Sequence, residues 1–500
     1  MAVKRKTIHH AQIWLNLRTA VQILSFIGFL VLFLKALPLI MRLDPLVMLA
    51  ALIASRSFEP YFFISVAMLA LALIFGRAWC GWLCPLGTVL DWFSFSAWKR
   101  KYEALPEWLR SIKYVLLIAI LAAAIFSNLT LLVFDPLTIM VRAFAVGIWP
   151  GLDALINLIQ SGLNSVPELQ GALANFDNLI RPALFSTQLP SYRDGWLFGL
   201  ILAAIISLNL ISRRFWCRYI CPLGAMYGIL SKISLIRRRV GESCNHCKLC
   251  QDVCPTGTID RSKGCISDPG ECIMCLKCMD SCPCGASDFG FVYALAPFNS
   301  YDPGRRQLFL GLGAAAIMAM LFRVAPLDKI ISKWRILPPG ATEESMQTRC
   351  VRCGECIRSC PTAAIQPARG EAGAEAFWTP VLVMRTGFCQ YTCNACGKTC
   401  PTGAIPALQL SVKQNTTIGL AVIDRNRCLP WAENTPCIVC EEMCPVPRKA
   451  IVLDRVTAAD KNGNKVELLR PLVVKGRCIG CGLCEYKCPV EGDAAIRVEV

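Results

Sequence analysis

Over its first three hundred residues the chain alternates long uncharged runs with short, charge-rich connections, and then it changes character. Apolar runs occupy about 19–41, 60–76, 114–134 and 195–212. The clearest, Tyr114–Phe134, contains no charged residue. At about 1.5 Å per residue it is long enough to cross a hydrocarbon layer of roughly 30 Å. The other three are shorter or interrupted (Lys35 breaks the first near its end) and rely on flanking Arg or Lys whose charges reach the interface. Leu46–Ser55 is apolar but too short to span, which predicts an interfacial or re-entrant segment. A fifth run, Gln307–Phe322, lies between Arg305–Arg306 and a linker at Pro338, Pro339 and Gly340. Beyond it the apolar stretches shrink to strand length, as in GLAVIDRNRC and RPLVVKGRC, each ending on cysteine.

Cysteine punctuates this pattern. The chain has 30 among 500 residues, mostly in C-x2-C rhythms, which argues for metal rather than a disulfide framework. Cys244, Cys247, Cys250, Cys254 and Cys272, Cys275, Cys278, Cys282 are two copies of C-x2-C-x2-C-x3-C-P. In that bacterial ferredoxin run three thiolates hold one [4Fe-4S] cube and the fourth ligates its neighbour. Four further groups follow: Cys350, Cys353, Cys356, Cys360; Cys389, Cys393, Cys396, Cys400; Cys428, Cys437, Cys440, Cys444; and Cys478, Cys481, Cys484, Cys488. The first and last keep the regular spacing and bracket two irregular groups, so we expect nested pairing, first with fourth and second with third. CPTGTI, CPTAAI and CPTGAI recur after Cys254, Cys360 and Cys400 and mark an internal repeat. Six [4Fe-4S] clusters are expected, leaving Cys80, Cys84, Cys217, Cys221, Cys265 and Cys284. The predicted fold class is an α-helical membrane bundle, four spans plus a fifth anchor, carrying α+β bacterial-type ferredoxin modules. The predicted domains are a membrane unit at 1–236, a two-cluster ferredoxin at 237–300, a fifth span at 301–325, a linker at 326–342 and a four-cluster polyferredoxin at 343–500.

The formal charge of +17 suggests nucleic acid at first sight, but no nucleic-acid motif is present. Negatively charged clusters and basic cytoplasmic loops account for it better. Residues 77–113 hold six Lys or Arg and 213–239 hold seven, whereas 135–194 hold only Arg142, Arg181 and Arg193. This places both ends of the four-span unit, and residues 237–300, in the cytoplasm, and predicts an inner-membrane, multi-pass protein. The opening Lys4, Arg5, Lys6 without a small-residue cleavage site predicts a retained anchor. A fifth span would deliver residues 343–500 to the periplasm, and RRQLFLGLGAAA resembles a twin-arginine export signal. Only three histidines occur and no C-x-x-C-H, which excludes covalent c-type haem.

The membrane unit holds a second repeat. RAWCGWLCPLG at 77–87 is answered by RFWCRYICPLG at 214–224, with Arg, Trp, both cysteines, Pro, Leu and Gly matching. Both follow spans running outside to inside, so the repeats are parallel. They bring Cys80, Cys84, Cys217 and Cys221 to one depth, as a further metal or cluster site or as buried packing residues. With the two-cluster ferredoxin behind them, these motifs resemble the membrane polyferredoxins of the NapH/NosR/CcoG type; residues 343–500 resemble the exported NapG-type ferredoxin. The resemblance implies an electron-transfer component of a quinol dehydrogenase, with quinone as substrate and a cytochrome or metalloenzyme subunit as redox partner. Asp44 and Asp135, each before Pro-Leu, are quinone-site candidates as proton acceptors; helix capping is their other reading. The rival function is an accessory iron–sulfur reductase for assembly or activation of a metalloenzyme.

Overall fold

The computed structural model describes residues 2–35, 38–58, 62–94, 105–184, 192–260, 264–292, 335–370, 373–459 and 465–500, with isolated residues between 309 and 317. Arg305 and Arg306 and most of the expected fifth span lie outside the described residues. The chain divides into two compact units, residues 1–141 with 200–321 and residues 142–199 with 322–500.

The first unit is helical until residue 235 and then turns to small sheets. Among the described residues, three helices are long and apolar enough to cross a membrane: Ala11–Leu34, Trp108–Ile125 and Pro136–Leu163, the last running from the first unit into the second. Two of the four expected spans are shorter, as Phe62–Phe75 and Gly195–Leu210. The first stops at Gly76, which takes the left-handed conformation (φ +59°), and the second tightens into a 3₁₀ turn at Leu208–Leu210. Pro136–Leu163 was expected as an exterior connection. It is apolar enough to qualify because its charges are few, Arg142 and Asp153. Leu46–Ser55 forms the short apolar helix Pro45–Ser55, capped by Asp44, which accepts from Leu46 N (2.8 Å) and Val47 N (3.2 Å).

Strand Ile236–Val240 enters the first ferredoxin module and Ser287–Phe291 leaves it, and the two pair antiparallel with Arg238 opposite Phe289. The four-cluster region repeats that device. Leu420–Ile423 and Ile496–Glu499 pair antiparallel around the third and fourth cysteine groups, with Val422 opposite Arg497. Between them Ile451–Ala459 and Lys465–Val473 form a longer two-stranded ribbon. Ile365–Pro367 and Pro380–Leu382 pair between the first and second groups, and Ile336 bridges to Leu382. Residues 335–342, expected as linker, are therefore packed: Arg335 is buried, donates twice to Glu343 and once to Thr379 (3.2 Å), and Leu337 and Ala341 pack against Met346 and Ile405.

In the second unit, helices within 142–184 fold back on themselves. Arg181 binds Asp153 (2.8 Å) and Asn157 (2.7 Å), tying the two arms together. The same segment holds the first cysteine group. Tyr192 Oη donates to Ile357 O (3.3 Å), Arg193 N to Gln366 Oε1 (2.8 Å), and Arg369 pairs with Asp194 (2.7 and 2.8 Å).

Candidate iron–sulfur centres

Each ferredoxin group supplies three cysteines from a tight loop opening into a single helical turn, then a fourth cysteine before proline. The proline ends the turn by disfavouring helix at the residue before it, so the fourth sulfur points away from its own group. Cys244, Cys247 and Cys250 line one cavity with Cys282 of the next group. In return Cys254 lies within electrostatic reach of Cys272, Cys275 and Cys278. The fourth cysteine of each group thus lies with the first three of the other, the placement a fourth-ligand exchange requires. These are sites I and II.

The pairing in the four-group region is sequential, not nested. Site III is Cys350, Cys353 and Cys356 with Cys400, and site IV is Cys389, Cys393 and Cys396 with Cys360. Site V is Cys478, Cys481 and Cys484 with Cys444, and site VI is Cys428, Cys437 and Cys440 with Cys488. The regularity of the spacing misled because the irregular gaps are absorbed locally, the long one by the turn Leu429–Ala432, without changing which group is next in space. The site VI cavity is otherwise lined by proline and aliphatic side chains, and the site IV cavity adds Ser359, Thr362, Gln390, Asn394 and Lys413 to such a lining. Burial pushes the Cys275, Cys428 and Cys481 thiols up to about 11 and Cys396 and Cys440 up to about 12. Four thiolates in such a cavity need a cationic core to neutralise them, and three-plus-one thiols around an apolar hollow fit a [4Fe-4S] cube.

Sites III to VI form a line. III and IV share their cysteine groups, as do V and VI. IV meets V where Cys389 N donates to Cys481 O (2.8 Å), and Arg385 donates to Glu485 O (3.2 Å), Cys488 O (3.0 Å) and Val490 O (2.7 Å). Site III lies at the helical end of the line: Gly354, left-handed at φ +84°, faces Val146 and Ala145, and Arg142 stacks on Trp378 at 4.5 Å. Beside it Glu355 is buried, which pushes its carboxyl up to about 7 against the pull of Arg358.

In the first unit the two C-x3-C-P repeats interlock reciprocally. Arg77 of the first donates to Cys217 O of the second (3.3 Å), and Arg214 of the second donates to Cys80 O (2.7 Å) and Gly87 O (3.0 Å) of the first. Each buried arginine has its own carboxylate. Arg77 binds Glu271 (3.0 Å), which Lys113 also holds (2.5 Å), and Arg214 binds Asp91 (both contacts 2.8 Å), which Arg18 also binds. Burial alone would raise the Glu271 carboxyl, but the facing Lys113 and Arg77 bring it down to about 2. All four cysteines are buried, Cys84 and Cys221 accept from Gly87 N (3.4 Å) and Gly224 N (3.2 Å), and Cys221 is within electrostatic reach of the other three. The site II loop rests on this arrangement, with Arg77 donating to Gly270 O (2.8 Å) and Trp82 Nε1 to Met274 O (2.9 Å).

Asp44 and Asp135 are both fully buried and do cap helices: Asp135 Oδ2 accepts from Thr138 N (2.9 Å). Capping uses one oxygen of each. Among the described residues, Asp44 Oδ2 and Asp135 Oδ1 have no protein donor, and the two carboxyls meet each other. Tyr227, whose buried hydroxyl also has no partner among the described residues, is within electrostatic reach of both and of Cys80 and Cys84. Sequence reasoning missed Tyr227, Glu271 and Asp91, which stand in no motif. The signal for the two arginines was their recurrence in otherwise apolar repeats.

Family models described as 4Fe-4S binding domains match residues 60–103 and 195–241, residues 346–366, and residues 241–257, 269–294 and 475–491. The first covers both C-x3-C-P repeats. The methylamine utilization ferredoxin-type protein MauM of Methylorubrum extorquens is 35% identical over 39% of this chain and 89% of its own length. The ferredoxin-type protein NapG of Escherichia coli is 34% identical over 32% of this chain and 68% of its own. Protein NirI of Paracoccus denitrificans is 29% identical over 43% of this chain and 26% of its own. No solved structure matched. A chain that carries 4Fe-4S binding domains and spans most of the MauM sequence at this identity is an iron–sulfur electron-transfer protein and belongs to the ferredoxin-type family of MauM and NapG.

Proposed function

We propose that this protein carries electrons between a membrane quinol and a redox partner subunit, cytochrome or metalloenzyme, over six [4Fe-4S] clusters, from the inner membrane. The observation that carries the quinol half of the reading is the buried Asp44–Asp135 pair. Two carboxyls in contact in dry surroundings are stable with one proton between them, so the pair has one position open for another. Oxidation of a quinol releases two electrons and two protons. The electrons suit the thiol-lined centres, taken singly, and the protons suit the pair, accepted one at a time and passed on. Tyr227 is within electrostatic reach of both carboxyls and of Cys80 and Cys84, which suits a group shared by the proton and electron routes. The line of four sites from III to VI serves a wire to a distant partner better than it serves a local accessory reductase.

Asp44→Asn with Asp135→Asn keeps both caps and removes the shared proton. Quinol-driven reduction of the clusters should slow about a hundredfold, while dithionite still reduces every cluster. An unchanged quinol rate in the double variant would remove the pair from the quinol site.

A further inference from the structure

Site I holds more sulfur than a [4Fe-4S] cluster uses. Its cavity is lined by six cysteines, the expected Cys244, Cys247, Cys250 and Cys282 together with Cys265 and Cys284. Of these Cys265 is the most buried, at 1% exposure, whereas Cys247 is exposed. The Cys265 thiol contacts the sulfurs of both Cys244 and Cys250, and lies 3.7 Å from His246 Nδ1. Ligand atoms of Cys244, His246 and Cys265 all fall within 4.8 Å of one another. The backbone holds Cys265 there deliberately tight. It takes a left-handed conformation (φ +58°) that glycine or asparagine adopts more readily, with its N–H on Asp260 O (2.9 Å) and its carbonyl on Arg238 Nη1 (2.6 Å). A cysteine kept at some cost in such a position, with its sulfur among ligand sulfurs, has a use for the sulfur.

We infer that Cys265 is a reserve ligand of cluster I, able to take over the iron that the exposed Cys247 holds. The exchange is balanced without an oxidant. The Fe–S bond to Cys247 breaks, one to Cys265 forms, and the Cys265 thiol proton passes to the departing Cys247 thiolate, leaving cluster charge unchanged. The inference rests on the reading that site I binds a [4Fe-4S] cluster. Iron and acid-labile sulfide in the wild-type chain test that reading separately, because a site I empty in the wild type would end it before any variant is made.

The experiment compares the full chain, purified anaerobically, as Cys247→Ala, Cys265→Ala and the double variant. Cys247→Ala should keep the wild-type iron and sulfide with an altered electron paramagnetic resonance signal after reduction, and the double variant should lose about four of each. Loss of the same four in Cys247→Ala alone, or full retention in the double variant, would overturn the inference. A second measurement needs no Cys247 variant. Iodoacetamide should alkylate Cys247 in the wild type with iron retained, and in Cys265→Ala the same label should cost about four irons. A Cys247 that resists alkylation, or wild-type iron lost with the label, would equally overturn it.

Discussion

Arg77 and Arg214 occupy matching positions in the two C-x3-C-P repeats, and each reaches into the other repeat to hold a cysteine carbonyl. A buried guanidinium is tolerable only with a charge partner, so each repeat depends on a carboxylate outside the motif. Asp91→Asn leaves both Arg214 and Arg18 buried without their counter-charge, a change that should cost about 3–5 kcal/mol. The midpoint of thermal unfolding in detergent reads this, and an unshifted midpoint would mean the pair is not buried in the folded protein. Gly81 sets a second test at this scale. A Cβ there would overlap the Ile273 carbonyl of the site II loop. Gly81→Ala should therefore push that loop off the Cys80 turn and lower iron by about four atoms through loss of cluster II. The cysteines and arginines of this region were legible as repeated letters in an apolar background. Their partners were not, because Asp91, Glu271 and Tyr227 recur nowhere and are fixed only by what the folded chain brings opposite them.

At the scale of elements, two of the three ferredoxin modules follow one plan: a strand enters, two cysteine groups exchange their fourth cysteines, and a strand leaves to pair with the first. Ile236–Val240 with Ser287–Phe291 and Leu420–Ile423 with Ile496–Glu499 are two instances. The strands before the later cysteine groups could be read from GLAVIDRNRC and RPLVVKGRC, and the groups themselves from spacing alone. Which group exchanges with which could not, since ligand exchange depends on the distance between loops rather than on their internal rhythm. Sequential pairing makes a prediction that nested pairing contradicts. A chain ended after Asn415 keeps both members of the III–IV pair and should carry iron for four clusters, about 16 atoms against about 24 in the full chain. Nested pairing would strip sites III and IV in the same truncation and leave about eight.

For the molecule as a whole, the proposed membrane placement turns on which side the line of four sites lies. Residues 164–194, beyond the apolar helix Pro136–Leu163, belong to the stretch poorest in basic residues, which the positive-inside rule puts outside. Two of its three arginines are occupied within the protein: Arg142 stacks on Trp378 (4.5 Å) and Phe198 (5.3 Å), and Arg181 is held by Asp153. Neither is left as a free charge to hold a loop in the cytoplasm. The same stretch is bonded to the first cysteine group through Tyr192, Arg193 and Asp194, and both belong to one compact unit. Whatever side takes residues 192–194 therefore takes the first cysteine group with it. A reporter active only outside the cytoplasm should be active when fused after Val500 and silent after Ala286. Replacing Arg305 and Arg306 by lysine should silence the Val500 fusion if the folded, cluster-loaded region leaves by the twin-arginine route. A fusion still active after both changes would assign export to another route, whereas a silent wild-type fusion at Val500 would place the line of sites, and residues 192–194 with it, in the cytoplasm.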